Sequence, residues 1–200
     1  MHWDNSPVLC EIISRSFQNS GWNIVHASNW GERKFYTYDG ETIFPDIVVE
    51  KEGLVIFAEV KSRLFHLRKE LNLRIIYHFA PEPECIQAFK ALTSKDYRDK
   101  GPCEFIRLVK AAKNYADKNN YKALSVVITP SYVCGEKLRI LKESLRKIEQ
   151  LQITPIELWI LYRKGKTNMH LKPLNKSIIQ IPPIPEYIVA ETFKKYIVVD

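Results

Sequence analysis

The chain lacks the cysteine spacing that holds metals or redox centres: Cys10, Cys85, Cys103 and Cys134 are scattered, with no C-x-x-C among them. Reduced thiols in an intracellular protein are the expectation. His26, His66, His78 and His170 also lack metal-ligand spacing. The opening residues, Met-His-Trp-Asp-Asn, contain no basic region followed by an apolar one, so no secretory signal is read there. No apolar run reaches the roughly 18 residues of a membrane span. Internal repeats and low-complexity tracts are absent as well. A cytoplasmic protein without membrane association is expected.

What is there suits one well-packed domain spanning residues 1–200. Apolar residues make up 46% of the chain and aromatics 12%, enough for a globular core. The net charge of +7 and pI near 9.1 favour a polyanionic partner without identifying it.

The most informative stretch is Pro45 to Lys61, which reads Pro-Asp-Ile-Val-Val-Glu-Lys-Glu-Gly-Leu-Val-Ile-Phe-Ala-Glu-Val-Lys. Ile43 to Glu50 and Leu54 to Lys61 are rich in β-branched and aromatic residues and predict an antiparallel hairpin. Alternation puts Phe44, Asp46 and Val48 on one face, as it does Val55, Phe57, Glu59 and Lys61. A turn centred on Lys51 and Glu52 sets Asp46 opposite Phe57, making Asp46 and Glu59 diagonal neighbours on the same face. A one-residue slip would separate them, so the reading requires an even loop. Two carboxylates this close need neutralising. Mg²⁺ accepts one or two protein carboxylates and completes its octahedron with water and phosphate oxygens. Such an ion polarises a phosphoryl oxygen and acidifies water, while Lys61 can orient that water or balance charge on phosphorus. A salt bridge between Asp46 and Lys61 is the structural alternative, and it leaves Glu59 unexplained.

Around this stretch the sequence predicts a helix from Pro7 to Ser20, with Ser6 as N-cap and Gly21 past its end. A strand follows over Asn23 to Ala27, then the two hairpin strands. Residues 62–101 read as an insertion with a short helix around Glu84 to Leu92. A helix over Cys103 to Lys118 follows from the 3.6 period of Phe105, Leu108, Val109, Ala112, Tyr115 and Ala116. Ala123 to Thr129 is a buried strand, Glu136 to Leu151 an amphipathic helix and Ile156 to Tyr162 another strand. Pro182, Pro183 and Pro185 exclude a helix where they cluster, and Tyr187 to Val199 is left as strand or short helix. The order α-β-β-β-α-β with an appended α-β implies an α/β fold of the α+β kind, a central mixed sheet flanked by helices.

This order, with Pro45-Asp46 followed by Glu59-Val60-Lys61, resembles the PD-(D/E)xK nuclease superfamily, which includes restriction endonucleases, Holliday junction resolvases and repair nucleases. The resemblance covers residues 7–129, with 131–200 as a C-terminal extension. It implies a restriction endonuclease-like core in which Asp46, Glu59 and the backbone carbonyl of Val60 hold Mg²⁺, with Mn²⁺ as a substitute, and Lys61 positions the attacking water. The pair Ser62-Arg63 looks like that of the resolvase and repair branch. Iron–sulfur members of the family use closely spaced cysteines near the chain end, a pattern missing beyond Cys134. Their RecB-like branch carries Gln and Tyr four apart, which Gln87 does not reproduce.

Many members carry a further Glu on the first helix, where Glu11 is the only acid here. At about 100° per residue, Glu11 lies roughly 150° from the middle of the apolar stripe. It is read either as solvated or, if the helix end overhangs the site, as catalytic. On the later helix Arg107, Lys110 and Lys113 recur opposite the apolar stripe, as a solvated face or as phosphate contacts. Arg33 and Lys34, in a loop with Trp30, Phe35, Tyr36 and Tyr38, are read as DNA contacts or as part of a packing or dimer surface. The function expected is a Mg²⁺-dependent endonuclease of restriction-like or repair type acting on DNA as a homodimer, with RNA not excluded. A structure-selective resolvase and an inactive nucleic-acid-binding module of the same fold are the alternatives.

Overall fold

The computed structural model describes residues 6–29, 34, 36–38, 41–61, 87, 104–131 and 136–197. Helix α1 spans Ser6–Asn19 and strand β1 Asn23–Ala27. A small hairpin of β2, Tyr36–Tyr38, and β3, Glu41–Ile43, precedes β4, Ile47–Lys51, and β5, Leu54–Val60. Then come α2 (Glu104–Asn119), β6 (Lys122–Pro130), α3 (Glu136–Glu149), β7 (Ile156–Lys164), β8 (Asn168–Pro173) and α4 (Glu186–Ile197).

Six strands form one mixed sheet in the order β1-β4-β5-β6-β7-β8. β1, β4 and β5 are antiparallel neighbours, β5, β6 and β7 run parallel, and β8 returns antiparallel. The C-terminal ends of β5, β6 and β7 therefore lie at one end of the sheet. β7 and β8 continue the same sheet that the first four strands begin, so the C-terminal extension is integral to it.

Both faces are covered, which explains why β5 and β6 read as nearly continuous apolar runs. On one face Phe57, Val127 and Ile160 pack against Phe105, Leu108 and Val109 of α2 and Leu145 and Ile148 of α3. On the other, Ile56, Val126, Ile128 and Trp159 pack against Leu9, Ile12, Ile13 and Phe17 of α1 and Val189 of α4. Phe17 stacks on Trp159 at 6.1 Å between ring centroids. The N–H groups of Gly21 and Trp22 return to the carbonyls of Gln18 and Phe17, closing α1 in a Schellman motif with Gly21 at φ 78°.

Three expectations change. The strand predicted from Ile43 is broken at Phe44, Pro45 and Asp46, because proline offers no N–H to a ladder and restricts the residue before it. The hairpin turn is one position later than predicted: Lys51 pairs with Leu54, leaving Glu52 and Gly53 as a two-residue loop at φ 50° and 76°. That is the geometry of a type I′ turn, whose twist matches that of the strands it joins. β8 was not foreseen, since an edge strand with one buried apolar residue, Met169, carries little alternating signal. Tyr187 to Val199, left open in the sequence, is helical as far as Ile197. The helix expected around Glu84 to Leu92 falls outside the described residues except at Gln87.

Candidate functional site

The later turn brings the two acids closer than the sequence suggests. Ile47 pairs with Ala58, so one more step of the same register sets Asp46 directly across from Glu59, where a diagonal relation was expected. Side-chain bonds fix the pair. Oδ2 of Asp46 accepts the N–H of Val60 at 2.8 Å, and Oε2 of Glu59 accepts the N–H of Asp46 at 3.3 Å. Glu59 is only 5% exposed.

Pro45 makes this arrangement possible. In the hydrogen-bonding register it would face Val60, yet it has no N–H to offer the Val60 carbonyl. The N–H of Val60, for its part, goes to the Asp46 carboxylate. Since N–H and C=O of one residue in a strand point the same way, the Val60 carbonyl is directed towards Asp46 as well. The Pro45 carbonyl is hydrogen-bonded by His26 from β1, and the carbonyl of Asp46 accepts the N–H of Ser28 at 2.8 Å. Burial lowers the pKa of His26, Lys34 lowers it further, and the bond to Pro45 opposes both.

Lys61 closes the group. Its Nζ lies 2.9 Å from Oε1 of Glu59, and its main chain is tied to β6 through Ile128 and the Thr129 hydroxyl at 2.8 and 3.1 Å. Lys61 thus forms an ion pair with Glu59, the acid that the salt-bridge alternative left unexplained. The donors directed to this sheet end are two carboxylates and one backbone carbonyl. All are hard oxygens, the set Mg²⁺ takes when waters and phosphate oxygens complete its shell. Among the described residues, no three His, Cys, Asp or Glu side chains group as a metal cage.

The first helix flanks the site, and the burial of Glu11 departs from the solvated reading of its wheel. Glu11 is 6% exposed, where a solvated position was one expectation. α4 packs against α1 and covers that side, which a calculation with one packing surface cannot anticipate. Glu11 Oε2 accepts from Asn29 Nδ2 at 2.7 Å and from Lys195 Nζ at 3.1 Å. Asn29 follows Ser28, so the Glu11 cluster and the backbone of Asp46 share one short loop. On the same helix, burial pushes the Cys10 thiol pKa up, Asp46 and Glu59 push the same way, and Ser28 and Lys61 oppose. Burial and the neighbouring Glu11 also raise the Tyr196 phenol.

Sequence reasoning missed His26, Ser28, Asn29 and Lys195. Only His26 carries a signal, a histidine in a short apolar strand, and it lacks metal-ligand spacing.

The remaining basic candidates are dispersed. Lys34 is exposed and donates to the Val25 carbonyl at 2.9 Å. Lys113 pairs with Asp117 one turn on, at 2.7 Å. Arg107 and Lys110 are half-buried, because the first half of α2 packs around most of its circumference. Of the three, Lys113 alone is exposed. Ser62, Arg63 and Arg33 lie outside the described residues. Among the described residues, no helix is long and apolar enough to cross a membrane.

No protein-family model, curated protein or solved structure matches this chain.

Proposed function

We propose that this protein is a Mg²⁺-dependent endonuclease that hydrolyses DNA phosphodiester bonds, of restriction-like or repair type. The observation that carries the reading is the convergence of Asp46, Glu59 and Lys61 at one sheet end, with the Val60 carbonyl directed to the same place. The order of elements supports it: α1, the antiparallel strands β1, β4 and β5, then α2 and the parallel β6 follow the core order of the PD-(D/E)xK superfamily.

In this reading Asp46, Glu59 and the Val60 carbonyl hold the metal. The chemistry supplied by Mg²⁺ when bound is polarisation of a phosphoryl oxygen and a lower pKa for water. The protein's own share is positional. The Val60 and Asp46 amides fix the two carboxylates before substrate arrives, so little reorganisation is left to the reaction. Lys61, held beside Glu59, directs a water towards phosphorus and balances charge that develops there. Burial of Glu59 keeps bulk water from screening these groups. Two strands of a duplex call for two sites, so the proposal includes a homodimer.

The test is nicking of supercoiled plasmid, four-way junction and single-stranded DNA with Mg²⁺ or Mn²⁺. Cleavage by the wild type that is lost in Lys61→Ala supports the reading. Failure of the wild type on every substrate would overturn it for DNA and leave a binding module with the chemistry lost. An RNA substrate run alongside distinguishes a ribonuclease, and preference for the junction identifies a resolvase.

A further inference from the structure

The end of β7 and the adjoining β8 carry an aromatic, basic patch that the proposed chemistry leaves unused. Between Glu157 and Glu186 the sequence contains no acid, while Arg163, Lys164, Lys166, Lys172 and Lys176 supply cations. Tyr162 pairs across the strands with His170, and Ile160 pairs with Lys172. The Tyr162 and His170 rings stack at 5.3 Å between centroids and 13° between planes. Lys172 Nζ stands over the Tyr162 ring, 5.7 Å from its centroid. Tyr162 is 39% exposed, so burial does not account for the stack.

The patch shares a face and a sheet end with the site. Ile160 lies in the same core layer as Phe57 and Val127, and alternation then puts Tyr162 on the face of Glu59 and Lys61. Val60 is level with Ile128, and Thr129 with Ile160. Two strand spacings across and two residues along separate Lys61 from Tyr162 by roughly 12 Å between Cα atoms. That is about three or four nucleotides of a stacked strand.

We propose that Tyr162, His170 and Lys172 form a stacking platform for unpaired bases of a nucleic-acid strand whose backbone runs on to Asp46, Glu59 and Lys61. The destination of the strand rests on the nuclease reading; the platform itself does not. The outer faces of a stacked ring pair, with the mobile Lys172 ammonium over the Tyr162 ring able to move to a phosphate, take any base through its π-face. Bases inside a duplex have those faces covered by their neighbours, so the platform selects a single-stranded segment such as a flap, an overhang or the arm of a branched junction. Lysines alone would suffice to guard an edge strand against pairing, and the stacked rings add what that duty does not require.

The test is binding of the wild-type protein, without divalent cation, to a short oligothymidylate containing one 2-aminopurine, with a blunt duplex in parallel. Quenching of the probe in the single strand is expected. Tyr162→Ala should weaken single-strand binding about 5- to 150-fold and leave the blunt duplex unchanged, while Tyr162→Phe retains affinity. An oligouridylate arm tells whether RNA strands share the platform. Absence of quenching with the wild type would overturn the proposal whether or not the variant folds, as would equal losses on strand and duplex. Cleavage is read separately: quenching without any cleavage removes the nuclease reading and keeps the platform, and cleavage without quenching does the reverse.

Discussion

Asp46 and Val60 are joined by a 2.8 Å hydrogen bond from the Val60 amide to Oδ2 of Asp46. The bond takes the Val60 amide that would otherwise face the Pro45 carbonyl, while the missing N–H of Pro45 leaves the Val60 carbonyl without its ladder donor. It makes one carboxylate both the end of a β-sheet and a metal-ligand candidate.

Asp46→Ala removes both roles. Loss of groups that merely support a metal ligand costs about 10- to 100-fold in activity or affinity, so loss of the ligand should exceed about 100-fold in plasmid nicking. A variant nicking at a tenth of the wild-type rate would exclude Asp46 from metal binding.

The hairpin turn sets the register that brings Asp46 opposite Glu59. Gly53 has φ 76° with no heavy atom within 4 Å of an added Cβ, so Gly53→Ala carries a conformational cost alone, about 1–2 kcal/mol. Glu52 also has positive φ, and Glu52→Asn should stabilise by a few tenths of a kcal/mol, because asparagine tolerates that region. Denaturant midpoints of the two variants should move in opposite directions.

His26 gives the protein an acid-sensitive element. Its pKa in the fold lies below the ordinary 6.5. Below that value the unfolded chain takes up a proton that the folded one refuses, so stability falls as pH drops through 6.5 towards the lower folded pKa. His26→Gln cannot titrate, and its unfolding free energy should fall less between about pH 7 and 5, by at most about 1.4 kcal/mol per pH unit. Parallel pH profiles of variant and wild type would contradict this.

Glu11 is 6% exposed, while the Lys195 side chain is 60% exposed. Lys195→Met should therefore cost about 1 kcal/mol at most, the range of a solvent-screened pair, or a fall in melting temperature of roughly 2–4 °C for a chain of this size. Glu11→Ala leaves Asn29 without its acceptor and opens space under α4, so it should be the more destabilising. The reverse order in thermal unfolding would mean that Lys195 does more than neutralise Glu11.

The sequence carried the acids and lysine of the site clearly, because side-chain alternation and an even turn suffice to group them. The turn's position is harder to read: Glu-Gly is not the Asn-Gly or Asp-Gly pair that marks a type I′ turn, and a turn on Lys51 and Glu52 pairs Glu50 with Gly53 where Lys51 in fact pairs with Leu54. Pro45 was legible as part of a motif, but its effect on Val60 needed the observed pairing. β1, α1, α2, β6 and α3 fell close to their predicted bounds, since each has a strong period or apolar run. Glu11, Asn29 and Lys195 were illegible as a group, because their meeting depends on how α4 packs against α1, far along the chain.

That packing has a temporal side. The contacts of Lys195 with Glu11 and of Glu191 with Arg15 span 184 and 176 residues, among the costliest loops for a chain of this length to close. The sheet can assemble around β4, β5 and β6 while Glu11 is still hydrated and α1 only partly covered. Loops this long close late by the same argument, so a newly made chain would hold its acids in register before α4 covers Glu11.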